Sequence, residues 1–177
     1  MCQFPRPPVK GNYAKMPENR KHKGLQNKAQ IDMLFKTTLK EVCQSSKLLE
    51  SKQYIQHGNT TVLKHSITVA YVSLRLAQKF KIPVLHRDLI RGALLHDYFL
   101  YDWHDNEDWH RLHGFRHPYF ALRNANRDLN LSEIEKDIIK KHMFPLTPIP
   151  PKYRESVIVC LVDKVCSVYE TFKRVSS

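Results

Sequence analysis

From residue 29 to residue 173 the apolar side chains return at three- and four-residue steps, with no alternating stretch of the kind a strand needs. A period of 3.6 residues lines such side chains along one helix face, whereas a strand has a period of two. The pattern limits the chain to a bundle of helices. Ile31, Leu34, Phe35, Leu39, Val42 and Cys43 mark a first helix from Ala29 to about Ser51. Asn59-Thr60-Thr61 is a cap for a second, reaching about Phe80. That helix has one stripe at Ile67, Ala70, Leu74 and Ala77 and another at Val69, Val72 and Leu76, which predicts a central position. After Pro83 a third helix is expected from His86 or Arg87 to Leu100, followed by a polar, aromatic, histidine-rich loop from Asp102 to Phe115. Pro118 suits the first turn of a fourth helix ending near Arg127. Ser132-Glu133-Ile134-Glu135 is a capping box for a fifth, reaching about His142. Pro145, Pro148, Pro150 and Pro151 exclude a helix, and a sixth runs from about Tyr153 to Lys173. The expectation is one all-α domain over residues 29–177 with about six helices.

The first 28 residues read differently. Residues 1–30 hold seven Lys or Arg against one acid, so they supply +6 of the net charge of +12, and they contain four prolines. Such a segment cannot bury enough apolar surface to order itself, so residues 1–28 are expected to be a basic, disordered tail. A solvated tail is favoured over an arm for nucleic acid or anionic lipid. Only five glycines occur, with neither G-x-x-x-x-G-K-[ST] nor G-x-G-x-x-G, which argues against a P-loop kinase and a simple dinucleotide-binding domain. No apolar run approaches the roughly 20 residues of a membrane span. Cys2, Cys43, Cys160 and Cys166 form no C-x-x-C pair, so no disulfide framework is expected and a cytoplasmic location fits.

Ten histidines invite a search for a metal site, and six of them lie between His86 and His117. His96-Asp97 follows directly on the apolar Gly92-Ala93-Leu94-Leu95, while Asp163 sits inside the apolar run Val157–Val165. A carboxylate in such surroundings needs a cation or several hydrogen bonds to offset its desolvation. His65 lies mid-helix, and Val69, Val72 and Leu76 continue its face. Taken one at a time, a hydrogen-bonded core histidine and a salt-bridged aspartate are commoner explanations of these residues than metal ligation.

Together they resemble a known pattern. His65, His96-Asp97 and Asp163, on three different expected helices, are similar to the metal-binding signature of the HD-domain superfamily of phosphohydrolases. Leu63-Lys64-His65-Ser66, Gly92-Ala93-Leu94-Leu95-His96-Asp97 and Leu161-Val162-Asp163-Lys164 carry the likeness, which covers roughly residues 55–172. His117-Pro118-x-x-Ala121 and His142 extend it to the order H…HD…H…H…D of the binuclear branch, which includes the HD-GYP phosphodiesterases and bacterial diadenosine-polyphosphate hydrolases. Phe99 and Leu100 stand where HD-GYP proteins have Gly and Lys, and the G-Y-P element is absent, so cyclic-di-GMP hydrolysis is not implied.

The resemblance implies two divalent metal ions, Fe or Mn first, with Zn, Ni, Co and Mg as alternatives. His65, His96, Asp97 and Asp163 would hold one ion, and Asp97 would bridge to a second held by His117 and His142. Such a pair acidifies a shared water and stabilises phosphoryl charge, so a bridging hydroxide replaces a side-chain nucleophile. His104, His113 and Asp102 are candidates for protonating the leaving oxygen, although an exposed loop position is the commoner role for each. Arg91 and Lys164 are candidate phosphate anchors, with ordinary salt bridges as the alternative. The expected activity is hydrolysis of a nucleotide-like or other small phosphate ester. A di-iron oxygenase on the same scaffold and a non-catalytic basic helical module for nucleic acid or protein are the competing readings.

Overall fold

A computed structural model describes residues 28–102 and 113–173. In chain order these form α1 (Lys28–Ser45), a 3-10 helix (Leu48–Gln53), β1 (Ile55–His57), β2 (Thr60–Thr61), α2 (Val62–Lys79), α3 (His86–Leu95), α4 (His113–Asp128), α5 (Glu133–Lys141) and α6 (Arg154–Lys173). The described residues therefore form an all-α bundle of six α-helices with one small hairpin. The expected tail, residues 1–28, lies outside them apart from Lys28.

The expected central helix is central. The Thr61 hydroxyl accepts a hydrogen bond from the Lys64 amide and caps α2. The helix then packs against α3 on one side and α6 on another. Its buried face holds His65, Ser66, Val69, Ala70, Ser73, Leu74 and Ala77. Val72, expected to continue the His65 face, instead points outward, because the inner stripe advances through Val69 and Ser73. Ile31 and Phe35 of α1, Leu89, Ile90 and Leu94 of α3, Ile138 of α5, and Val159 and Val162 of α6 close the core around α2. Each such side chain contributes about 1.5–3 kcal/mol when fully buried.

Three element boundaries and one added element depart from the sequence reading. The first helix stops at Ser45 because the Ser46 hydroxyl donates to the Val42 carbonyl (2.7 Å) and accepts from the Leu48 amide (3.2 Å), which starts the separate 3-10 helix. The third ends at Leu95, not Leu100: the Tyr98 amide bonds the Leu95 carbonyl, and Leu100 takes a positive φ of 57°. The fourth begins at His113, so Phe115 is helical and Pro118 falls in the second turn, where its missing N–H deprives Gly114 of an intrahelical partner. The hairpin was not expected. Ile55 pairs with Thr61 and His57 with Thr60, and the chain reverses through Gly58 at φ 58°. Strands of three and two residues are too short to show alternation.

The capping box on α5 is present in both arms: Glu135 N–H donates to the Ser132 hydroxyl, and Ser132 N–H donates to the Glu135 carboxylate. Cys43, Cys160 and Cys166 are free thiols. No described helix is long and apolar enough to cross a membrane.

Candidate metal centre

Five elements deliver side chains to one buried point. His65 comes from the first turn of α2 and His117 from α4. Asp163 comes from the middle of α6. His96 and His142 are the residues at which α3 and α5 end, and Asp97 follows His96. Both C-terminal histidines use the same local device. Nδ1 of His96 donates to the Ala93 carbonyl at 2.7 Å, and Nδ1 of His142 donates to the Ile139 carbonyl at 2.8 Å. A carbonyl only accepts, so Nδ1 carries the proton in each ring. The bond satisfies a helix-end carbonyl and leaves Nε2 facing inward.

Asp97 lies between two groups of ligand-type atoms. Its Oδ2 is 3.2 Å from His96 Nε2 and 3.7 Å from His65 Nε2, while Oδ1 is 3.2 Å from His117 Nε2 and 3.4 Å from His142 Nε2. Asp163 Oδ1 completes the first group, 3.0 Å from His65 Nε2 and 3.6 Å from His96 Nε2. The ligand atoms of His65, His96 and Asp163 lie within 4.8 Å of one another, as do those of Asp97, His117 and His142. All six residues are buried.

Several features of this cluster fit metal ions. His96 Nε2 and Asp97 Oδ1 are buried without a hydrogen bond, although both face the centre. The Nε2 atoms of His117 and His142 are 2.7 Å apart. With the His142 proton on Nδ1, two ring nitrogens at this distance need a proton or a cation between them. The imidazole and carboxylate set suits Mn, Fe, Co, Ni or Zn.

The electrostatics follow from burial opposed by partners. Burial opposes charge on His65, but hydrogen bonds to Asp163 and Glu170 outweigh it and raise the ring to about 9. Burial likewise works against ionised Asp97, and His96, His117 and His142 overcome it, holding the carboxyl well below its usual range. His142, fully buried with His117 and His96 beside it, is pushed down despite Asp97. Protonated imidazoles and bound cations are alternative ways of balancing the same two carboxylates.

A cavity of about 780 Å³ opens over Asp97, His117, His142 and Asp163. Gln56, His57, Lys164 and Ser167 form its polar edge, and Met143, Pro145, Leu146 and Val168 its apolar wall. The volume is that of a pocket for a small molecule.

Residues 62–167 match the model of the HD domain family. The chain belongs to that family. No curated protein and no solved structure matches it. Family membership indicates metal-dependent phosphohydrolase chemistry in general, and the two residue groups supply donor sets for the divalent metals that HD domains bind.

Within this HD domain the structure brings His65, His96, Asp97, His117, His142 and Asp163 together, with His96 and Asp97 just past the end of α3 rather than inside it. The other candidates divide. His104 lies outside the described residues, as does the side chain of His113, whose backbone opens α4. Asp102 is exposed. Arg91 does not line the cavity as described: Nη1 is 3.2 Å from the buried Glu135 carboxylate, and Nη2 donates to the Asn130 carbonyl. The alternative of an ordinary salt bridge is what the geometry supports, because α3 turns Arg91 toward α5. Lys164 does line the cavity, with its ammonium donating to the His142 carbonyl at 2.7 Å and the Cys160 carbonyl at 3.2 Å. It ties the end of α5 to α6 and thereby fixes His142.

Sequence reasoning missed three residues. Glu170 receives His65 Nδ1 at 2.9 Å. Its spacing of seven from Asp163, two helical turns on the same face, was the available signal. Gln56 donates to Asp97 Oδ2 at 2.6 Å while its own Oε1 is buried without a partner. His57 stacks edge-on against His65 at 5.4 Å between ring centroids. Both come from the unexpected hairpin, and nothing in its short strands announces it.

Proposed function

We propose that this HD domain is a metal-dependent phosphohydrolase or phosphodiesterase that cleaves a nucleotide-like or other small phosphate ester at a two-metal centre. Asp97 carries the reading. Each of its oxygens faces a different pair of histidines, the arrangement a bridging carboxylate requires. His65, His96 and Asp163 would hold one ion, and His117 and His142 the other, with Asp97 shared. When bound, such a pair supplies Lewis acidity that activates water and stabilises charge on a phosphoryl group.

The chain's own residues provide the rest. The Nδ1 hydrogen bonds of His65, His96 and His142 hold three rings with Nε2 inward, so little reorganisation accompanies metal uptake. Gln56 fixes the Asp97 carboxylate from the hairpin side. Met143, Pro145, Leu146 and Val168 offer an apolar wall to the organic part of the ester.

The test is a phosphate-release assay across nucleotides, dinucleotides and sugar phosphates. Chelation should abolish turnover, Mn²⁺ or Fe²⁺ should restore it, and His65→Ala and Asp163→Ala should not recover. A metal-loaded protein that hydrolyses none of these yet binds RNA or DNA with steep salt dependence would replace this reading with the binding module. Oxygen uptake by an iron-loaded protein without phosphate release would replace it with the oxygenase.

A further inference from the structure

Helix α6 carries its chemistry on one side and an apolar stripe on the other. Asp163, Ser167 and Glu170 face the metal centre and His65. Val157, Leu161, Val165, Val168, Tyr169 and Phe172 are between 44% and 69% exposed. At 100° per residue these six fall within a single arc of about 120°. Between residues 157 and 172 the arc contains one further residue, Ile158, and no charged group. A solvent-facing helix surface ordinarily carries the polar residues, so the stripe inverts the usual pattern.

We propose that this stripe packs against the same stripe of a second copy, making the protein a two-fold dimer joined through α6. Three observations select this occupant. Leu161, Val165, Val168 and Phe172 are spaced by four, three and four residues, the seam that lets two helices interlock side chains. From the exposed fractions, the six side chains present on the order of 600 Å², close to the roughly 800 Å² that each partner buries in a standard interface. A surface without charge has no charged partner to select, whereas an isologous pair needs only apolar self-complementarity. Val165, near the middle of the stripe and small, permits close approach of the two helix axes at the symmetry axis.

The dimer also bears on the cavity. Val168 lies in the stripe and in the apolar wall of the cavity over Asp97. The second chain would therefore border the cavity mouth, although every ligand-type residue of a site belongs to one chain.

The experiment is the molar mass of the full chain in solution by sedimentation equilibrium, at concentrations on the order of 10 µM where an interface of this size is occupied. The wild type should give twice the 20.9 kDa chain mass. Val165→Glu should shift the mass to that of one chain and weaken dimerisation at least 30-fold. Its circular dichroism should be unchanged, because Val165 is 69% exposed. Leu161→Lys is the independent second variant, and Leu49→Glu, an exposed apolar position away from α6, should leave the dimer intact. A monomeric wild type overturns the proposal, including one that binds anionic vesicles through the stripe. So does a dimer that survives both α6 substitutions with its fold intact. Mass is read without any activity assay, so this outcome is separate from that of the hydrolase reading.

Discussion

Glu170 stands behind His65, its Oε2 2.9 Å from Nδ1, while Nε2 of the same ring lies 3.0 Å from Asp163 Oδ1. Both carboxylates come from one face of α6, two turns apart, so a single helix grips the imidazole from both edges. The other two locked rings, His96 and His142, bond a backbone carbonyl instead. Of these three rings, His65 is thus the one whose Nδ1 is held by a full negative charge.

Replacing Glu170 should weaken metal binding without touching a ligand. Glu170→Gln keeps an acceptor for Nδ1 and loses the charge, and is expected to cost about 10-fold in affinity. Glu170→Ala loses both and should cost about 100-fold. Competition titration against a chelator measures the difference. Equal affinities across wild type and both variants would show that Glu170 does not tune His65.

Asp97→Ala should be the most damaging single change at the centre. It removes the carboxylate that faces both histidine pairs and leaves four imidazoles around a void. Metal content should fall well below that of the wild type and hydrolysis should vanish, with helix content retained by circular dichroism. Wild-type turnover in this variant would refute the bridging role.

Metal loading should exceed one equivalent per chain in the wild type. In the His117→Ala, His142→Ala double variant it should drop to about one, because the His65, His96 and Asp163 group remains whole. Elemental analysis after reconstitution decides this. A wild type that never passes one equivalent makes the centre mononuclear.

Gly92 is where α3 packs against α5. A Cβ there would meet Ile138 Cδ1 at 2.4 Å, Cβ at 3.1 Å and Cγ2 at 3.2 Å, so rotating the side-chain end alone does not make room. Gly92→Ala should destabilise the fold by about 1–3 kcal/mol despite its better helix propensity. Denaturant unfolding measures it, and unchanged or raised stability would show that α5 shifts freely.

Asp137 gives a pH signature remote from the centre. Its Oδ2 accepts the Lys152 amide at 2.8 Å, tying the approach to α6 onto α5, and Oδ1 pairs with Lys141 Nζ at 2.6 Å. Burial works against the charge, but the Lys141 pair and the Lys152 amide outweigh it and lower the carboxyl below its ordinary value. The stabilisation is therefore complete above the unfolded-state value near pH 4 and is lost as pH falls through that value toward the lower folded one. Asp137→Asn should lower stability by about 1.5–3 kcal/mol at neutral pH, and the gap from wild type should narrow steadily as pH falls below about 4. A gap that stays constant as pH falls below that value would assign the loss to shape rather than charge.

The helical bundle was legible because burial of an apolar face imposes its period on the chain. Ile31, Phe35, Val69 and Leu74 each lie on a stripe visible in the sequence and are buried in the core. Local chemistry also opened elements where it was strong: the Thr61 cap and the Ser132–Glu135 box both stand where they were read. It misled where the local signal was weak. The Ser46 hydroxyl broke α1 through two hydrogen bonds that a periodicity argument does not see. The Gly58 turn made strands too short to have a period.

The six ligand-type residues were fixed by the chain itself, since their order and local contexts matched a pattern before any distance was known. Their division was not. That Asp97 turns one oxygen to His96 and the other to His117 depends on how α3 ends, and on where α4 and α5 pack around it. Whether a cationic side chain reaches the cavity is equally a matter of direction. Arg91 and Lys164 each neighbour a ligand segment in sequence, yet α3 turns Arg91 to Glu135 while α6 sets Lys164 at the cavity edge. Neighbours on a helix point about 100° apart, so sequence assigns a residue to an element, and only the packing of elements assigns its side chain to a site.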